Sequence, residues 1–94
     1  MCDVIYIDPS MSSKEPTDIY FDGQPPVRIW SKSLDHMIEQ LTSVILQEKP
    51  RKVIVDTIGF AGRFIFEGLY YKFNNVQSDN GSYHRHKREH GITK

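Results

Sequence analysis

Apolar residues recur along this chain at two periods, and the change from one to the other marks its elements. Residues 3–7 (Asp-Val-Ile-Tyr-Ile) and 17–21 (Thr-Asp-Ile-Tyr-Phe) are rich in β-branched and aromatic side chains and predict two strands. The first stops at Asp8-Pro9, because proline cannot donate to a ladder and biases the residue before it away from helix. A polar loop over 10–16 separates the two. Asp22-Gly23 is a turn signal, extended by Gln24, Pro25 and Pro26. Residues 27–31 then alternate, with Val27, Ile29 and Ser31 on one face and Arg28 and Trp30 on the other. The second and third strands are expected to form an antiparallel hairpin.

At Ser33 the period lengthens to that of a helix. Leu34, Met37, Ile38, Leu41, Val44 and Ile45 recur every three or four residues and form one apolar stripe. Ser33 suits the N-cap, Asp35 faces the positive end of the helix dipole, and Lys49-Pro50 ends the helix. Lys52–Asp56 is apolar without alternation, the pattern of a strand buried on both faces. After a tight turn at Thr57-Ile58-Gly59, an aromatic-rich helix is predicted over 60–73. Gly62 and Gly68 each weaken it by about 1 kcal/mol relative to Ala, and suit close packing on the sheet or on a partner helix. Phe60, Phe64, Phe66, Tyr70, Tyr71 and Phe73 occupy more than one face. The surplus marks either a self-association surface or aromatics that all pack in a small core. Residues 74–82 are polar and turn-rich and predict a flexible linker.

The expected fold is therefore a small mixed α/β domain over residues 1–73, in the order strand, strand, strand, helix, strand, helix. A linker and a basic, His-rich tail follow over 74–94. Strand–helix–strand order requires a parallel, right-handed crossover somewhere in the sheet. With 94 residues, 38% hydrophobic, one core is affordable but a cleft between two domains is not. The single cysteine, Cys2, excludes an internal disulfide and a Cys-based zinc finger, and no Cys–His arrangement supports nucleophilic catalysis. The apolar runs are too short for a membrane span, no signal peptide is evident, and a reducing cytoplasm is the expected compartment.

Charge adds a second division. The formal net charge is zero, yet residues 1–50 hold four Lys/Arg against eight Asp/Glu, and residues 51–94 hold eight against four. The basic excess includes Arg85, Lys87, Arg88 and Lys94, beside Tyr83 and three of the four histidines. Such a segment suits phosphate contacts, with Tyr83 and the imidazoles free to stack on bases. His86 and His90 are four apart, which on a helix would allow Zn²⁺ or Ni²⁺ binding, but no further ligand completes that set. A merely solubilising tail is the alternative.

Two short motifs carry a resemblance. Ile7-Asp8-Pro9-Ser10, followed by Glu15-Pro16-Thr17-Asp18, resembles the first motif of phage terminase large-subunit nuclease domains. Val55-Asp56-Thr57-Ile58-Gly59-Phe60-Ala61-Gly62 resembles their second acidic motif, and similar pairs occur in Holliday-junction resolvases. The resemblance spans roughly residues 4–70 and implies a truncated ribonuclease H-like fold. In that fold Asp8 and Asp56 end neighbouring parallel strands, where Mg²⁺ or Mn²⁺ would be bound. The family draws a further acidic residue from a later element. Here Glu67 lies far along the second helix, and Asp79 and Glu89 fall in the expected linker and tail. The structural alternative is that Asp8 only ends a strand and Asp56 caps the second helix. Asp56-x-x-Gly59 also matches a GTPase motif, but no phosphate-cradling loop accompanies it. The Gly59 turn with Arg63 could instead meet an anion.

The reading that asks least is a small phage-like protein that binds RNA or single-stranded DNA through its tail and Arg63, without catalysis. Its alternatives are a nuclease holding Mg²⁺ or Mn²⁺ on Asp8 and Asp56, and a phage protein that modulates a host protein. A homodimer through the aromatic helix fits any of the three.

Overall fold

The computed structural model describes residues 3–9, 16–21 and 23–80. Cys2, Ser10, Glu15 and the tail residues Tyr83, Arg85, His86, Lys87, Arg88, Glu89, His90 and Lys94 lie outside the described residues. Among the described residues, five strands and two helices follow in the order β1 (Val4–Pro9), β2 (Thr17–Phe21), β3 (Val27–Ile29), α1 (Leu34–Glu48), β4 (Lys52–Asp56), α2 (Phe60–Tyr70) and β5 (Val76–Asp79). The sheet order is β3-β2-β1-β4-β5. β2 runs antiparallel to β1 and β3, while β1, β4 and β5 are mutually parallel. A small mixed α/β domain is thus the architecture, with the expected hairpin and the expected parallel neighbour of β1.

Side-chain parity explains how the layers form. Ile5, Ile7, Ile19, Val53, Val55 and Val76 share one face of the sheet and pack with Met37, Ile38, Leu41 and Ile45 of α1 and Ile65 and Leu69 of α2. Going from β1 to β4 and from β4 to β5, the chain steps across the sheet in one direction. Right-handed crossovers then put both helices on the same side. Within the helix stripe, Leu34 and Val44 sit at the core's margin. β4 departs from expectation: Val53 and Val55 are buried, but Ile54 on the opposite face is only half-buried and Lys52 is exposed. Its apolar run reflects a central position, since β4 has a strand on each side, and not a helix on each face.

α1 is held at both ends by local chemistry. The Ser33 Oγ accepts a hydrogen bond from the His36 backbone N–H at 3.1 Å. Lys49 takes a left-handed conformation (φ 52°) and donates its N–H to the Ile45 carbonyl at 2.9 Å. Ser33→Ala removes the cap, and a loss of about 1 kcal/mol in chemical denaturation is expected. An unchanged midpoint would mean that Ser31, whose Oγ donates to the Ser33 carbonyl at 3.0 Å, carries the turn instead.

Four boundaries move. β1 does not stop at Asp8-Pro9 but runs through both, with Pro9 paired to Thr17 of β2. β3 ends at Ile29, because Ser31 turns away to bond Ser33 and His36 Nδ1. α2 ends at Tyr70, because Lys72 and Phe73 both donate to the Leu69 carbonyl and close the helix in a turn that returns Phe73 to the core. The largest change is β5. Residues 76–79, expected in a linker, form a strand parallel to β4 with Val76 buried beside Val53. The fold therefore runs beyond residue 73.

Candidate functional site at the carboxyl edge of the sheet

β1, β4 and β5 all point their carboxyl ends at one edge of the sheet, and each carries an aspartate there: Asp8 just before the last residue of β1, Asp56 and Asp79 as the last residues of β4 and β5. The register pairs Asp8 with Asp18 across β1 and β2, and Asp56 with Asp79 across β4 and β5. Ile7 pairs with Val55, so one further step sets Asp8 beside Asp56. Asp18 in turn faces Arg28 across the hairpin. Neighbouring strands lie about 4.8 Å apart, and paired residues project to the same face. Four aspartates on four adjacent strands therefore form one row, on the face opposite the helices.

The charges in this row are not equivalent. Asp18 is neutralised by Arg28, whose Nε and Nη2 donate to its two oxygens at 2.8 and 3.2 Å. The same hydrogen bonds and charge raise the Arg28 guanidinium above its ordinary value. Asp8 is half-buried. Asp56 is 1% exposed, and its Oδ1 accepts the Ile58 N–H at 2.9 Å. Asp79 Oδ2 accepts the Tyr6 hydroxyl at 2.8 Å. Tyr6 lies two residues before Asp8 on the same face, and its ring packs edge-to-face with that of Tyr20 at a centroid distance of 6.4 Å. Burial, the bond to Asp79 and the charges of Asp56, Asp79 and Asp8 push its hydroxyl far above the usual tyrosine range. Tyr6 thus keeps its proton and acts as a donor among carboxylates.

Asp56 is not the cap of α2. Gly59 occupies that position with no side-chain hydrogen bond, while Asp56 closes a turn onto Ile58 two residues earlier. Gly62 sits directly against the Asp56 backbone carbonyl, so α2 starts where β4 ends. Arg63 is exposed one turn into α2. Glu67 lies a further turn along the helix and does not join the row.

Sequence reasoning placed Asp79 in a linker. Its neighbourhood holds one useful signal: a helix after β4 can serve as the crossover to a further parallel strand, and Val76 is the apolar residue that could anchor it. Among the described residues, no three His, Cys, Asp or Glu side chains stand close enough to hold a metal ion together. No described helix is long and apolar enough to cross a membrane.

The aromatic surplus of α2 divides. Phe66 and Phe73 pack against the core, while Phe60 (73% exposed), Tyr71 (87%), Phe64 and Tyr70 remain on the surface. No family model, curated protein or solved structure matches the chain.

Proposed function

We propose that this domain is a ribonuclease H-like nuclease that uses a divalent metal, held by Asp8 and Asp56, to act on nucleic acid. The observation that carries the reading is the register that puts Asp8 next to Asp56 at the carboxyl edge of two parallel strands. Ligands of open α/β sheets favour that edge. Aspartates in adjacent register also repel one another, which a fold selected only for stability would avoid.

The donor set fits a hard cation. Mg²⁺ is commonly held by one or two carboxylates together with substrate phosphates and water. Two aspartates therefore suffice once a phosphodiester supplies further oxygens, and weak metal binding by the protein alone is expected. When bound, such an ion polarises the phosphodiester and activates water. The chain's own groups do the positioning. The Ile58 N–H fixes one oxygen of Asp56, and the Tyr6 hydroxyl fixes Asp79 beside it. The basic segment with Arg85, Lys87, Arg88 and Lys94 would supply affinity for the polyanion.

Incubation of the full chain with single-stranded and duplex DNA and RNA tests the reading. Cleavage is expected in Mg²⁺ or Mn²⁺ and not in EDTA. Absence of cleavage of all four substrates in both metals would sink it. A second reading, nucleic-acid binding without catalysis, is favoured by the burial of Asp56 and by its commitment to Ile58. It predicts salt-dependent binding with no cleavage, lost on deletion of residues 83–94.

A further inference from the structure

On the helix side of the same edge lies an open cleft of about 420 Å³. Thr57 follows Asp56, and Ser78 and Asn80 flank Asp79, so the cleft opens just past the strand ends that carry two of the aspartates. Arg63, Phe66 and Glu67 close it from α2, at the three- and four-residue spacing that puts side chains on one helix face. The volume falls in the range of small-ligand sites.

Its lining is mixed in a particular way. Among the described residues Arg63 is the one cation of the lining, and it makes no ion pair with any of them, including Glu67 four positions on. Phe66 packs on the core and against Tyr70 at 5.4 Å, so its ring is held in place while it borders the cleft. The Thr57 and Ser78 hydroxyls and the Asn80 amide both donate and accept. A fixed aromatic ring, a guanidinium and an amide within one small cleft are complementary to one nucleotide. The base would meet the ring, the phosphate the guanidinium, and the base edge the amide.

We infer that this cleft seats one nucleotide of a single-stranded nucleic acid, with its phosphate at Arg63 and its base against Phe66. The inference rests on the nucleic-acid reading above and extends it, because it seats the strand at the same edge as the carboxylate row, on the helix face of the sheet. Glu67 sits in the same cleft and opposes the phosphate, so it limits affinity.

Fluorescence anisotropy of labelled dT15 and rU15 with the full chain in EDTA, between 50 and 200 mM KCl, tests this apart from any metal. Arg63 is exposed and Ala is a better helix former, so Arg63→Ala should fold normally. It should weaken binding of at least one oligonucleotide about fivefold or more. It should also flatten the slope of log K against log salt by about 0.7, the share of one phosphate contact on a single strand. Glu67→Gln should tighten binding about twofold or more, which damage to the fold could not mimic. In ¹⁵N-resolved spectra, dT15 or rU15 should shift the amides of Thr57, Arg63, Ser78 and Asn80 at concentrations where the free mononucleotides dTMP and UMP do not.

Unchanged affinity and slope in Arg63→Ala, or cleft amides that stay still when the oligonucleotides saturate, would overturn the inference. So would tighter binding of a free mononucleotide. The outcomes separate from those of the nuclease reading. Cleft shifts without cleavage would remove the nuclease and leave the cleft, and cleavage with a silent cleft would do the reverse.

Discussion

Gly62→Ala is expected to cost more than about 3 kcal/mol, beyond the usual 1–3 kcal/mol of an overpacked core. A methyl group at this position would collide with the Asp56 carbonyl oxygen, and would also lie 3.1 Å from the Asp56 carbonyl carbon and the Thr57 Cα. All three are backbone atoms of the strand end, so no side-chain rotation relieves the clash. α2 would have to lift away from β4, loosening Ile65 and Leu69 in the core. For a domain of this size each 1 kcal/mol lowers the melting temperature by about 4–8 °C, so a fall of more than about 12 °C is expected in thermal melts followed by circular dichroism. Gly68→Ala provides the contrast. Its added methyl would meet the Ile38 side chain, with Cδ1 at 2.6 Å, and that group can rotate aside. The gain of about 1 kcal/mol in helix propensity offsets the crowding, and a net change within about 1 kcal/mol is expected. If both variants melt alike, the close approach of α2 to β4 is not what holds the edge together.

Asp8→Asn should abolish metal-dependent cleavage while leaving the protein at least as stable as before. Asparagine keeps the size of the side chain and an acceptor oxygen but removes the charge that would hold the cation. Loss of an outer-shell partner in a metal site costs about 10–100-fold, and loss of a ligand should exceed that. The same change removes one of the like charges facing one another across β1 and β4. A stabilisation of up to about 1 kcal/mol is therefore expected in urea titrations. Lost activity together with retained or improved stability marks a residue kept for function. Cleavage that survives the change would remove Asp8 from any metal site. A drop in stability of more than about 1 kcal/mol would assign it instead to the structure of the edge.

Most of the fold was legible because its signals are local. The stripe from Leu34 to Ile45 repeats over three turns, and Ser33 and Pro50 bracket it, so α1 needed no knowledge of its partners. The hairpin was legible from two short apolar runs and a Gly-containing turn, where Gly23 takes a positive φ of 68°. β5 was not legible. Of Val76, Gln77, Ser78 and Asp79 only Val76 is buried, and four residues with one apolar anchor read as a loop until β4 supplies the ladder.

The site divides the same way. Its residue types were visible in the sequence: an aspartate at the end of each of two strands, and Arg63 one turn into the helix that follows. Their grouping was visible only for Asp8 and Asp56, through the resemblance that sets their strands side by side; that Asp18, Asp79 and Tyr6 join them was not visible. Asp8 and Asp56 are 48 positions apart, Asp56 and Asp79 are 23 apart, and the Tyr6 hydroxyl bonds a carboxylate 73 positions away. The chain by itself determined where helices and strands form, because caps, turns and hydrophobic periods act over a few residues. Which aspartates share a row, and that a fifth strand adds one more to it, was decided only by strand pairing. That pairing is set when the apolar faces of the sheet and both helices are buried together, and no local pattern records it.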